Sequence, residues 1–258
     1  MDAARPAPAG EVRVVAEGTR AAPLPSGMKS SALTEIFRAT GTPGQLAQLG
    51  GVVATWKLTV HGEGGEVIGE RTYVHVADSA APERDRLQYG DRVFVRDGAR
   101  VLAGRGGIRW ESLDAMARRE LQLFGLHLRL PWCYGAEERF VVLRQESALR
   151  RGEQLRGLLV ERRVPAGEEV FGPQRTTRRC DRFQLFYDPM TGTPRELEHT
   201  FAELATRRRV LFDDWREFEG VRFPARRVYV DALEQPTTTV ELMDLRRRRV
   251  DGRDFRLL

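Results

Sequence analysis

The densest group of side chains that could carry acid–base chemistry lies in LFDDWREFEGVRFPARRVYV, residues 211–230. Its four carboxylates, Asp213, Asp214, Glu217 and Glu219, could supply a general acid and a general base. Arginines follow closely in the same segment, and exposed carboxylates beside arginines usually form surface ion pairs. The segment therefore favours solvent-facing charges over catalysis, and we predict that the protein is not an enzyme.

Histidine chemistry is not indicated either. His61, His75, His127 and His199 are scattered, and none belongs to a zinc-protease or serine-hydrolase motif. His61 and His75 could face each other across a first hairpin, but two solvated strand histidines are the simpler interpretation. We predict no metal site and no cofactor.

The two cysteines, Cys133 and Cys180, leave two interpretations open. They could pair in an oxidising compartment, or they could be two buried thiols. Neither lies in a spacing that would complete a zinc site with other ligands.

Charge and hydropathy argue against a nucleic-acid-binding protein and against an integral membrane protein. The chain has 258 residues, and its 42 basic and 37 acidic side chains give a net charge of only +5. The run RRRR at 246–249 follows a strand pattern, so its side chains alternate between faces and cannot form one nucleic-acid-binding patch. It is predicted to be a solvated sheet edge, compatible with an anionic membrane surface. No apolar run reaches the roughly 20 residues that span a bilayer.

The elements that would position these side chains begin after a predicted flexible leader. Residues 1–29 are rich in Pro, Ala and Gly and contain no apolar core of a signal peptide. Residues 30–258 are predicted to form one domain, beginning with a short helix capped by Ser31. A second helix of about 13 residues is predicted from a Ser112 cap to near Gly125.

The rest of the chain has the pattern of strands. In VVATWKLTVHG, residues 52–62, apolar side chains alternate with polar ones, which is typical of a half-buried antiparallel strand. About five strands precede the second helix and seven follow it, which is too many for one flat sheet. By the same alternation, Phe212 and Trp215 are expected on opposite faces of one strand, and Arg226 and Arg227 on the solvent side.

The last third of the chain resembles the outer-membrane lipoprotein-sorting proteins and their LolA-like relatives. Members of that family place an aromatic residue and DP-x-TG on a hairpin, then an aromatic-rich strand, a Gly-Val-x-Phe-Pro turn and a final strand ending in Asp and Phe. The matching positions are Tyr187, Asp188, Pro189, Thr191, Gly192, Trp215, Gly220, Val221, Phe223, Pro224, Asp254 and Phe255.

This resemblance implies a mainly β (α+β) fold. A strongly curved antiparallel sheet of about 11–12 strands would form an incomplete barrel, with helices covering its concave face. In the family, the space between sheet and helices accepts acyl chains, and members are periplasmic or attached to the cell envelope.

A hydrophobic cavity is therefore expected between the sheet and the helices. Its candidate lining residues are the inward-facing positions of the strands and of the second helix, each of which could equally be ordinary core: Trp56, Leu58, Val74, Leu113, Met116, Phe124, Phe140, Phe201, Phe212 and Leu242.

The predicted function is non-enzymatic binding or carriage of a lipid or lipoprotein acyl chain. The alternative is a protein-interaction module of the same fold without lipid cargo. Expected partners are that acyl chain, envelope proteins or an anionic membrane surface, and not nucleic acid. The predicted location is the periplasm or the cell envelope.

Overall fold

The computed structural model describes residues 26–81, 83–136, 140–162, 181–200 and 207–257. Within these ranges, thirteen strands form one antiparallel sheet whose two outermost strands do not pair with each other. The predicted mainly β class and incomplete barrel are confirmed. The sheet has thirteen strands instead of the expected 11–12.

Two meanders build the sheet. The strands are β1 (Gly51–His61), β2 (Val67–Asp78), β3 (Arg84–Tyr89), β4 (Arg92–Asp97), β5 (Arg100–Arg105), β6 (Ile108–Arg109), β7 (Phe140–Arg150), β8 (Glu153–Arg162), β9 (Asp181–Tyr187), β10 (Pro194–Thr200), β11 (Arg207–Phe218), β12 (Val221–Val230) and β13 (Pro236–Arg247). The first meander runs from β1 to β6 and the second from β7 to β13. They meet where β13 inserts between β1 and β12, so β6 and β7 lie at opposite ends of the sheet.

Four α-helices, α1 (Ser26–Thr40), α2 (Pro43–Gln48), α3 (Asp114–Arg129) and α4 (Cys133–Ala136), and a 3-10 helix at Glu111–Leu113 complete the described part of the chain. Helix α1 begins before Ser31, so the predicted cap is wrong. The intervening residues include no proline, and the helix can start a turn earlier. Of the predicted leader, residues 1–25 lie outside the described residues.

The connection between β6 and β7 carries α3 and α4 from one end of the sheet to the other. In this connection, the Phe124 ring of α3 lies 6.1 Å from Trp56 of β1 and 4.6 Å from Tyr73 of β2, between ring centres. We call the sheet surface that bears Trp56 the inner face. Ala32, Leu33 and Ile36 of α1 are buried in the same core. The expectation that helices cover one face of the sheet is confirmed.

Helix α3 is longer than its pattern predicted. It continues through Gly125 to Arg129, and its N-cap is Leu113 without a side-chain hydrogen bond, so the Ser112 cap is wrong. A Cβ at Gly125 would lie 2.9 Å from Nη1 of Arg129 and 3.0 Å from Nη2 of Arg96. This glycine makes room for neighbouring guanidinium groups, and for that reason it does not mark the helix end.

The alternation predicted for β1 is confirmed. In the neighbouring β2, the buried face is the one that bears Tyr73 and His75, not the one that bears Val74 as expected. Trp56 pairs across the strands with Tyr73, which is 2% exposed. His75 lies on the same side and is fully buried, so its predicted solvation is wrong. It pairs with Ala54, and His61 pairs with Val67, so the two histidines do not face each other.

The hairpin β11–β12 corrects two expectations. Phe212 and Trp215 lie close together, with ring centres 6.2 Å apart, because Asp214 at φ +50° interrupts the strand alternation. Arg227 is 1% exposed, since it shares the inner face with Phe212, its cross-strand partner. Its predicted solvent exposure is wrong.

The turn of this hairpin is tighter than the motif suggested. Glu219 and Gly220 both have positive φ and form a two-residue turn. Phe223 and Pro224 already belong to β12, where Phe223 packs 5.0 Å from the Trp132 ring.

The arginine run at 246–249 overlaps the end of β13, which is an internal strand of the sheet. Arg246 and Arg247 pair with β1, but β12 pairs with β13 only between Pro236 and Glu241, so the other side of the run has no strand partner among the described residues. The run is exposed to solvent as predicted, although β13 is not an outermost strand.

Candidate functional site

A cavity of about 440 Å³ lies between α3 and five adjacent strands, β2, β1, β13, β12 and β11. Its size falls within the usual range of small-molecule sites, roughly 300–1,000 Å³. The lining residues are Leu58, Arg71, Tyr73, Arg119, Glu120, Leu123, Arg207, Arg208, Tyr229, Val230, Thr237 and Thr238.

Part of the wall is apolar. Leu58 of β1 is buried, and Val230 of β12 is also buried, while Leu123 of α3 is half-buried against the core. Tyr73 contributes an aromatic ring that stacks on Tyr89, with ring centres 5.1 Å apart. These groups offer hydrocarbon contact to a ligand without requiring hydrogen bonds from it.

The remaining wall is basic. Arg71 is the cross-strand partner of Leu58, Arg119 lies one turn before Leu123 on α3, and Arg207 and Arg208 start β11. Within the described part of the wall, Glu120 is the only carboxylate. Burial raises the pKa of Glu120, because a charged carboxylate loses hydration there.

A chain of polar contacts leads inward from the cavity wall. The Tyr229 hydroxyl and Nε2 of His127 are 2.6 Å apart, and the His127 carbonyl accepts a hydrogen bond of 2.6 Å from Nη2 of Arg227. The Arg227 guanidinium lies 4.8 Å from the centre of the Trp56 ring, in cation–π contact. Burial lowers the pKa of His127 well below its ordinary value of 6.5, aided by the charge of Arg227.

A second polar cluster fixes the end of α3 to the sheet. The fully buried Asp85 of β3 accepts hydrogen bonds from Arg129 at 2.8 and 3.2 Å, contacts Arg96, and lies 3.0 Å from Nε2 of His75. Burial alone would raise the pKa of Asp85, but the guanidinium groups of Arg129 and Arg96 outweigh it and hold the pKa well below 3.8. The cluster therefore has a structural role.

Two kinds of site are not seen in the described ranges. No group of three or more His, Cys, Asp or Glu side chains there could hold a metal ion. Of the helices that the structure describes, none has the length and apolar character needed to cross a bilayer.

Among the predicted lining residues, Leu58 lines the cavity. Five others are buried in the core and packed by the protein's own side chains: Trp56, Phe124, Phe140, Phe212 and Leu242. Leu113 and Met116 are half-buried against that core. Their contact with a ligand stays a prediction, but most of the expected space is already filled.

Of the two remaining predicted lining residues, Val74 is wrong and Phe201 is untested. Val74 is 40% exposed and pairs with Thr55, on the opposite face from Trp56, so its predicted inward orientation is wrong. Phe201 lies outside the described residues, as does Cys180, so the disulfide interpretation for Cys133 remains a prediction.

The sequence patterns missed the basic and tyrosine residues of the cavity. A shift by one position in β2 would have selected Tyr73 and Arg71 in place of Val74. Counting back from Phe212 in steps of two gives Val210 and Arg208 on the inner face. Alternation therefore contains the signal, but the charge of these side chains predicts solvent exposure instead.

Solved structures establish the relationship to known folds, whereas no protein-family model and no curated sequence matches the chain. An outer membrane lipoprotein-sorting protein domain from Vibrio parahaemolyticus is similar at a TM-score of 0.52 and 11% identity, over 88% of this chain and 95% of that one. The chain shares the fold of this lipoprotein-sorting domain. A LolA superfamily protein from Nitrosomonas europaea is similar over 87% of this chain and 97% of that one, at a TM-score of 0.49 and 12% identity. The first of these similarities confirms the fold expected from the motifs.

The hairpin motif joins the sheet to the first helix of the chain. Asp188 Oδ1 accepts a hydrogen bond of 2.8 Å from the Met190 amide, and the Gly192 amide donates one of 2.8 Å to the Asp188 carbonyl. Gly192 has φ +73°, and a Cβ there would overlap the carbonyl oxygen of Glu35 in α1. The glycine allows the turn to touch the helix backbone.

Proposed function

We propose that the protein binds or carries the acyl chain of a lipid or lipoprotein, without catalysis, in the periplasm or cell envelope. The cavity beneath α3 is the observation that carries this proposal, because Leu58, Leu123 and Val230 give it a hydrocarbon wall. The LolA-like fold supports it, since a similar structure is an outer membrane lipoprotein-sorting domain.

The packing of the core limits the length of acyl chain that the cavity can hold. Trp56 and Phe124 occupy the inner face beside the cavity, so the free volume of about 440 Å³ suits part of one chain. Each buried methylene contributes about 0.8 kcal/mol, and a modest number of them gives useful, reversible affinity.

The test is native mass spectrometry of the protein after gentle extraction, combined with binding of a fluorescent fatty-acid analogue. Leu123→Trp places a larger side chain in the cavity and should abolish copurifying lipid and analogue binding. Leu149→Trp is the matched control, because Leu149 is 70% exposed on β7, and it should bind as the wild type does. Absence of lipid and of analogue binding in the wild type would contradict the proposal.

A second candidate is a protein-interaction module of the same fold. The observation that favours it is the close packing of the inner face by Trp56, Phe124 and Phe212, which leaves much of the expected lipid space filled. In that case, the folded wild-type protein would bind no lipid, and Leu123→Trp would leave partner binding unchanged.

A further inference from the structure

The described wall of the cavity beneath α3 has more basic than acidic side chains. Among the described lining residues, four arginines, Arg71, Arg119, Arg207 and Arg208, accompany one carboxylate, that of Glu120. A basic wall beside an apolar one is the arrangement that an amphiphile with an anionic head would require.

The four arginines differ in what they already contact. Arg207 forms an ion pair with Glu198, and Arg119 has Glu120 at 3.9 Å, a loose contact. Arg71 lies over the Tyr89 ring, 5.5 Å from its centre. Arg208 makes no ion pair within the described part of the chain, so at least one cation on the wall is available to a ligand.

The position of Arg208 directs its charge inward. It pairs across the strands with His199, and it shares a face with Val210 and Phe212, two core residues further along β11. A half-buried guanidinium interacts with an anion more strongly than a fully solvated one, because less water screens the pair.

Glu120 does not offset this charge fully. The side chain is mostly covered by its surroundings, and burial raises the pKa of its carboxyl group. A bound anion on the other side of the wall would further favour its protonated form, since like charges repel.

We propose that the cavity selects single-chain amphiphiles with an anionic head, a carboxylate or a phosphate. The head contacts Arg71, Arg119 and Arg208, and the chain lies against Leu58 and Leu123. This inference rests on the proposed function, since it names the chemistry of the ligand that the same cavity binds. Guanidinium groups recognise both head types because their parallel N–H donors match two acceptor oxygens.

The experiment compares dodecanoate, dodecyl phosphate, dodecanol and dodecyltrimethylammonium by isothermal titration calorimetry, each below its critical micelle concentration or, for dodecanol, below its solubility limit. The alkyl chain of dodecanoate is one methylene shorter than the chain of the other three, which slightly disfavours its binding, so tighter binding of an anionic probe reports the head. We expect the two anionic probes to bind at least about tenfold more tightly than dodecanol, with the advantage shrinking as salt is raised. The carboxylate and phosphate probes separate fatty-acid-like from phospholipid-like heads.

Variants assign the effect to the cavity. Arg208→Gln and, independently, Arg71→Gln should weaken dodecanoate binding several-fold and leave dodecanol binding unchanged. Arg226→Gln is the control, because Arg226 lies on the outer side of β12 with Asp213 at 3.6 Å, and all affinities should stay at wild-type values. Circular dichroism confirms that each variant is folded.

The outcomes separate the two proposals. Equal affinity for dodecanoate and dodecanol would overturn the anionic-head inference and leave acyl-chain binding standing. Binding of none of the four probes would overturn the proposed function itself. Retained anionic preference in both Arg208→Gln and Arg71→Gln would show that the head binds elsewhere.

Discussion

The Tyr229 hydroxyl lies 2.6 Å from Nε2 of His127, and this contact joins the wall of the cavity to the centre of the core. Both residues are buried, and the hydroxyl is positioned by a histidine on the helix that covers the sheet. The shape of the cavity wall therefore depends on the position of α3 on the sheet.

Tyr229→Phe tests this link. The substitution retains the ring but leaves Nε2 of the buried His127 without its partner, which should lower the free energy of unfolding by about 1–3 kcal/mol. Urea denaturation measures the change. Tyr89→Phe is the control, since Tyr89 is only half-buried, and it should cost less. Equal effects of the two substitutions would show that the Tyr229–His127 contact contributes nothing specific.

Asp85→Asn tests the ion cluster at the end of α3. The amide cannot balance the charges of Arg96 and Arg129, and breaking a buried ion pair typically costs about 3–5 kcal/mol. Asp97→Asn makes the same change in the neighbouring strand, where Asp97 pairs with Arg84 and both are about half exposed, so we expect less than about 1 kcal/mol. Chemical denaturation of both variants checks the difference, and similar losses would refute a special role for Asp85.

Gly192→Ala tests the contact between the motif turn and α1. A methyl group there would overlap the backbone of Glu35, in addition to the strain of a positive φ, so a loss of more than about 2 kcal/mol is expected. Gly152→Ala is matched, because Gly152 has φ +80° with nothing within 4 Å of its Cβ position. It should cost about 1 kcal/mol from backbone strain alone. Thermal denaturation at one pH compares them, and equal losses would contradict the close approach.

The buried histidines predict a pH dependence of stability. Burial, with a further contribution from Arg208, lowers the pKa of His199 to about 4. Between pH 6.5 and about 4 the unfolded chain therefore binds a proton that the folded protein does not. The free energy of unfolding should fall as the pH falls through this window, by roughly 3 kcal/mol from His199.

Burial also lowers the pKa of His127, so protonation of this histidine in the unfolded chain likewise reduces the free energy of unfolding as the pH falls. The pKa of Asp85 lies well below 3.8, so its protonation reduces stability only at more acidic pH. Denaturation between pH 4 and 7.5 measures the slope. His199→Gln should flatten it, and a slope that the variant leaves unchanged would rule out His199 as its source.

Local patterns predicted the fold better than the site. The alternation in β1 and the hairpin motif around Gly192 are local, and both were recognised correctly. Arg227 and His75 were assigned to solvent because of their residue types. Their burial depends on partners on other elements: Trp56 for Arg227, and Asp85 on the next strand, bound by Arg129 at the end of α3, for His75.

The same reason explains the error at Gly125. A glycine near the end of a helical pattern normally indicates termination. Here it accommodates Arg96, which comes from β4 and cannot be linked to the helix by spacing. The errors at Gly125 and Arg227 both involve neighbours in space that are distant in the sequence.

The insertion of β13 between β1 and β12 has a consequence for biosynthesis. The first half of the sheet and the second half have no strand partner in common until the last strand is available. During vectorial synthesis, β1 must therefore wait, with one side unsatisfied, until nearly the whole chain has emerged. A product lacking β13 would leave this side of β1 exposed and should aggregate.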